Sequence, residues 1–114
     1  MADQVKWYKV FRSLVDATTR IPEGQMERVN IGIHKICLAH TKDGFYAVGD
    51  TCTHLQATLS RGHTNYLNQV ICPWHSYRFD LKSGVECQQR ASPLPTYPLK
   101  IDDNGLYLGI SIPS

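Results

Sequence analysis

Two short cysteine–histidine pairs constrain this chain more than any other feature. Cys52-Thr53-His54 is followed, after the seventeen residues Leu55 to Ile71, by Cys72-Pro73-Trp74-His75. Each half offers one thiol and one imidazole within a tight turn, so two short loops can present four ligands to a common point. Single Cys or His residues carry little information, whereas two mixed pairs at chelating separation point to a metal centre. The surrounding stretch, about Asp50 to Gly84, holds three of the five histidines and two of the four cysteines. With Gly62, Pro73 and Gly84 it suits loops more than long strands.

Flanking this stretch, short β-type segments dominate. Trp7 to Phe11 is aromatic and β-branched, Gln25 to Ile31 alternates loosely, and Ile33 to Thr41 is apolar on both faces, as a buried strand would be. Lys42-Asp43-Gly44 signals a hairpin into Phe45 to Val48. Thr96 to Asp102 alternates Tyr97, Leu99 and Ile101, Asn104-Gly105 predicts a type I′ turn, and Leu106 to Ile110 returns. A short helix can begin near Ser13-Leu14-Val15-Asp16 and must end before Pro22. The expectation is an all-β chain of 114 residues forming one domain, 1–114.

Composition narrows the function classes. Twelve Lys/Arg against ten Asp/Glu leave a formal charge of +2. With no basic cluster, that predicts no nucleic-acid partner. No apolar run approaches the ~20 residues of a membrane span or the ~7–15 of a signal-peptide core, so a cytoplasmic protein without a membrane partner is expected. In that reducing compartment the cysteines stay thiols. Cys37, within Ile36-Cys37-Leu38-Ala39, reads as a small core residue, and Cys87 as a packed or free thiol. His34, His40 and His63 lack chelating neighbours and read as surface or satisfied core histidines. Tyr8, Tyr46, Tyr66 and Tyr107 read as strand residues.

Two metal sites fit the donor set. A Cys₂His₂ zinc site uses the same four side chains, but zinc fingers usually pair Cys with Cys and His with His, each pair from one turn. In a [2Fe–2S] centre of the Rieske type, two Cys hold one iron and two His the other. Mixed pairs are what a two-iron object spanned by both loops requires: Cys52 and Cys72 to one iron, His54 and His75 to the other. Zinc stays as the competing reading, in which the chain is a zinc-stabilised binding module.

The sequence here resembles the Rieske-type ferredoxins. Cys52-Thr53-His54-Leu55 runs on to Leu59-Ser60-Arg61-Gly62, similar to the family's Leu-x-x-Gly, and Cys72-Pro73-Trp74-His75 runs on to Phe79-Asp80 and Ser83-Gly84. Asp50 and the segment Leu94 to Ile101, with Tyr97-Pro98, also look like the family. The resemblance implies an antiparallel β-sandwich or barrel-like base with a small inserted cluster-binding subdomain at about 50–84, and a third loop at Pro93-Leu94-Pro95. It implies one [2Fe–2S] cluster held by Cys52, His54, Cys72 and His75, the histidines through Nδ1 with Nε2 toward solvent. In the membrane-bound branch each loop carries an extra Cys, and the two pair as a disulfide. Ala57 and Trp74 stand at those positions here. Tyr77 and Phe79 stand where that branch places a Ser and a Tyr that donate to the cluster sulfurs. Fewer donors imply a potential toward the low end of roughly −150 to +300 mV.

Two ferric ions, two sulfides and two thiolates sum to zero charge, and one electron makes the site −1. The function implied is one-electron transfer by a monomeric, soluble carrier, from a flavin-containing reductase to a terminal oxygenase, with no catalytic residues of its own. The alternative is the small subunit of an assimilatory nitrite reductase, many of which lack the ligands retained here. Trp74 is expected to cover the cluster or contact a partner, with Gln56, Ala57 and Thr58 at the rim. Arg61 and Arg78 are expected to be solvated or partner-steering.

Overall fold

Strand β3 (His34–Thr41) explains the layering. Its inner run Ile36-Cys37-Leu38-Ala39 is buried without interruption. Because side chains alternate across a strand, Ile36 and Leu38 enter one apolar cluster while Cys37 and Ala39 enter another. β3 therefore lies in a middle layer covered on both sides. The computed structural model describes residues 4–53, 56–74 and 76–112.

The middle layer has the order β2-β3-β4-β8, with β2 Met26–Ile31, β4 Gly44–Gly49 and β8 Thr96–Tyr97. One face packs on a sheet ordered β1-β10-β9, built from β1 (Gln4–Phe11), β9 (Leu99–Asp102) and β10 (Gly105–Ile112). Leu106, Leu108 and Ile110 of β10 meet Ile36, Leu38 and Ala47 there. The helix α1 (Leu14–Arg20) adds Ala17 and the residue after its end, Ile21. Ser13 caps it by accepting the Asp16 N–H at 3.0 Å. The helix stops ahead of Pro22, as expected. All recorded strand pairings are antiparallel.

The other face of the middle layer carries the stretch that joins β4 to β8. It contains a 3₁₀ turn (Leu59–Arg61) and a small sheet of β5 (His63–Thr64), β6 (Gln69–Ile71) and β7 (Arg78–Asp80). Leu59, Val70, Phe79, Leu81 and Leu94 pack there with Cys37, Ala39 and Val48. A stretch read as loops thus has its own strands, each of two or three residues, too short for hydrophobic alternation to reveal.

Three further expectations need correction. Thr96 to Asp102 is two strands in different sheets: β8 pairs with β4, and β9 with β10. Pro98 separates them; it has no N–H to give a ladder, and its carbonyl accepts the Gly109 N–H at 2.9 Å as the chain changes sheet. The last hairpin turns at Asp103-Asn104, since Asp102 pairs with Gly105. Neither turn residue has positive φ, so the turn is not type I′; Gly105 takes φ +146° instead, and Asp102 Oδ1 accepts the Asn104 N–H at 2.8 Å. Finally, Tyr66 lies exposed in the turn between β5 and β6, outside any strand.

Candidate metal centre

Two loops rise from this scaffold with matching backbones. The first leaves β4 through Asp50; the Cys52 N–H donates to the Ala57 carbonyl at 2.8 Å, and Thr51 bridges to Thr58. The second leaves β6; the Cys72 N–H donates to the Tyr77 carbonyl at 2.8 Å, and Ile71 pairs with Arg78. Each loop places its cysteine first and closes on the residue five positions later. The residue before closure takes a left-handed conformation in both: Gln56 at φ +57° and Ser76 at +56°. A residue without special backbone tolerance adopts that conformation only where its surroundings impose it. The loops are thus two copies of one tight turn.

Both cysteines are buried in the same apolar cluster, beside Phe79 and Leu94. Their thiols are neighbours. Burial pushes the Cys72 thiol up to about 11, with the Trp74 N–H (3.4 Å from Sγ) opposing the rise and the nearby Cys52 adding to it. The thiolate is the ligand form, so metal binding must displace a proton there and supply the positive charge that stabilises the thiolate. Two adjacent sulfur donors, shielded from water at the mouths of twin turns, suit a sulfur-rich iron centre. His54 and His75, the other two candidate ligands, lie outside the described residues, as does Leu55. Cys37 contacts the Met26 sulfur at 3.5 Å and its thiol is pushed up by burial, as an inert core residue.

Three braces hold the loops. The fully buried Asp50 carboxylate accepts from Arg28 Nε at 2.6 Å, from the Ser60 N–H at 2.6 Å and from Ser60 Oγ at 2.8 Å. Arg28 also reaches Thr58 Oγ1 at 3.3 Å, so β2 and the 3₁₀ turn grip the exit of the first loop. Gly62 follows, where a Cβ would collide with the Ile71 carbonyl just ahead of Cys72; the glycine is required by close approach of the two loop stems. On the third side, Thr53 Oγ1 donates to the Ser92 carbonyl at 2.5 Å, and Leu94 enters the cluster with Cys52 and Cys72. The expected third loop at Pro93-Leu94-Pro95 does lie against the first.

Trp74 is 61% exposed on the second loop, and Gln56 is exposed on the first. Ala57 is not a rim residue; its methyl is buried in the cluster beneath. Arg61 and Arg78 are exposed, and Cys87 is an exposed free thiol. His40 is a satisfied histidine, its Nδ1 2.8 Å from the Ile21 carbonyl and its ring stacked on Phe45.

The family model of the Rieske [2Fe–2S] domain matches residues 7–98. The chain belongs to the Rieske [2Fe–2S] domain family. A 3-phenylpropionate/cinnamic acid dioxygenase ferredoxin subunit from Photorhabdus laumondii subsp. laumondii is 34% identical over 92 residues, 80% of this chain and 87% of that protein. In the solved complex of reduced oxygenase and oxidised ferredoxin of carbazole 1,9a-dioxygenase, the matching chain is 28% identical. The TM-score is 0.75, with 90% of this chain and 91% of that chain covered. A chain described as a nitrite reductase (NADPH) small subunit is 27% identical at TM-score 0.75, over 90% of this chain and 97% of that one. As a Rieske domain of this type, the chain carries one [2Fe–2S] cluster and acts as an electron-transfer protein. None of the described residues forms a helix long and apolar enough to cross a membrane.

Proposed function

We propose that Cys52 and Cys72 hold one iron, that His54 and His75 hold the other, and that the chain serves an aromatic-ring dioxygenase system. When bound, the cluster supplies one-electron transfer. The twin turns that bring Cys52 and Cys72 together are the observation that carries this reading. They present one sulfur per loop, which leaves the third residue of the first motif and the fourth of the second to supply the imidazoles.

In this reading residues 1–114 form one domain, with about 50–84 as the cluster-binding part. The chain works in the cytoplasm as a monomer, taking electrons from a flavin-containing reductase and passing them to a terminal oxygenase. The named relatives, a dioxygenase ferredoxin subunit and a ferredoxin solved with its oxygenase, support the oxygenase partner. Exposed Trp74 and Gln56 offer contacts beside the ligands without a strong overall field, in keeping with the +2 charge. The nitrite reductase small subunit at comparable similarity supports a second reading, a permanent subunit of a larger enzyme.

Anaerobic purification with iron and sulfide analysis, followed by EPR after dithionite reduction, tests the ligand assignment. Two irons per chain and a signal that vanishes in both H54A and H75A are expected; a signal surviving either substitution overturns it. Gel filtration of a lysate separates the two readings. A carrier elutes at about its own 12.9 kDa, a permanent subunit with a large partner.

A further inference from the structure

A dense charged cluster lies on the segment between β7 and β8. Glu86 is fully buried, and its carboxylate is crowded with donors. Arg90 gives Nε at 3.0 Å and Nη2 at 2.9 Å, the backbone N–H groups of Arg90 and Gln88 lie at 2.8 and 3.2 Å, and the Cys87 thiol at 3.3 Å. The Arg90 guanidinium holds this carboxyl well below the usual carboxylate range. Glu86 is itself fixed to β7, bridging to Phe79 while the Cys87 N–H donates to the Arg78 carbonyl at 2.8 Å. From that anchor Arg90 lies over the Tyr77 ring, with Cζ 3.9 Å from the centroid. Tyr77 is the residue whose carbonyl closes the second loop on Cys72.

Glu86 is fully buried while the Arg90 side chain stays 37% exposed, and an ion pair with one buried partner is a costly way to hold a segment down where an apolar contact often does as well. What the charged pair adds is direction. The fork of a guanidinium bound twice by one carboxylate has a fixed plane, and a cation held over a ring fixes the ring in turn. Two residues on, the Ser92 carbonyl ties the same segment to Thr53 of the first loop. One short stretch therefore touches both loops.

We propose that Glu86 and Arg90 are positioning residues of the metal centre: the buried carboxylate aims the guanidinium at Tyr77, and Tyr77 holds the second loop at the spacing the cluster requires. This rests on the reading of the Cys52 and Cys72 loops as the cluster site. It also sets the electrostatics. Arg90 neutralises the buried Glu86 carboxylate beside the second loop, and without it that carboxylate would oppose the extra negative charge of the reduced form.

The test compares wild type, R90M, R90K and Y77L as loaded proteins, each checked first for iron content: a wild type without iron refutes the site reading and this inference with it, whereas a loaded wild type lets the variants test the inference alone. In R90M the potential should fall, shifting the reduced-to-oxidised ratio at fixed poise by on the order of tenfold toward oxidised. R90K restores the charge without the fork and should recover only part of the shift. In the Y77L background, R90M should add little to the hydrogen exchange of the Cys72 amide, while the part of its potential shift that comes from charge remains. Hydrogen exchange of the Cys72 amide, bonded to the Tyr77 carbonyl, should be faster in R90M and in Y77L than in wild type. Full iron content with an unchanged potential and unchanged Cys72 exchange in R90M overturns the proposal, as do strictly additive R90M and Y77L effects on Cys72 exchange. Should R90M not fold, R90K decides: its Cys72 exchange must rise above that of wild type.

Discussion

Replacing Asp50 by Asn isolates the brace under the first loop. The substitution keeps the volume of a fully buried side chain and removes its charge. One amide oxygen can still accept the Ser60 N–H, and the Ser60 hydroxyl can rotate to accept from the new NH₂. The bond at 2.6 Å from Arg28 Nε is the one lost, since an NH₂ facing a guanidinium sets donor against donor. Hydrogen bonds to charged groups contribute roughly 1.5–3 kcal/mol, and breaking a buried pair costs roughly 3–5 kcal/mol. The Arg28 side chain is 34% exposed and can turn to water, so the lower range applies, about 2 kcal/mol for D50N. At ~2.1 cal/mol/K of unfolding entropy per residue, that lowers the midpoint by roughly 8 °C. R28M leaves the Asp50 carboxylate buried with only Ser60 as a side-chain partner and should cost more, roughly 3–4 kcal/mol. Thermal unfolding of the loaded proteins under argon at one scan rate measures both. A D50N midpoint within 2 °C of wild type, or a greater loss in D50N than in R28M, refutes the reasoning.

H75A should lose iron and also melt lower, because metal binding is coupled to folding of the loops; a colourless variant with an unchanged midpoint contradicts that. F79Y places a hydroxyl in the buried cluster beside Cys52 and Cys72, and its donation to a cluster sulfur should raise the potential. An unchanged potential in F79Y shows that the ring edge points elsewhere. Glu86 has a folded value depressed by Arg90 below its ordinary 4.5, so its stabilisation is complete above the unfolded value and is given up as pH falls through the folded one. The difference in urea midpoint between wild type and E86Q should therefore narrow from pH 7 to pH 3.5, and a constant difference counts against the ion pair.

The parts of the molecule legible in the sequence are those governed by local rules. The two-faced run of β3, the Ser13 cap with Pro22 beyond it, and the spacing of Cys52 and Cys72 each follow from alternation, capping or chelation. What escaped depends on how the fold surrounds each residue. The change of sheet at Pro98 is invisible because Thr96 to Asp102 alternates correctly for either sheet. Burial of Ala57 follows from the loop turning inward at its closing residue. The Glu86–Arg90 pair has helical i,i+4 spacing but sits in a segment with no helix, so its only signal is one that would have misled. Asp50, noted for its place before the first loop, gains its role only when Arg28 is brought to it from β2.

In the proposed centre one cysteine and one histidine from each loop hold the cluster. Pulsed EPR of the reduced protein, grown with ¹⁵N-histidine, tests this most directly. Two distinct histidine-nitrogen couplings are predicted in wild type, with no cluster signal at all in H54A or H75A. A wild-type spectrum with no histidine coupling, or with only one, contradicts it.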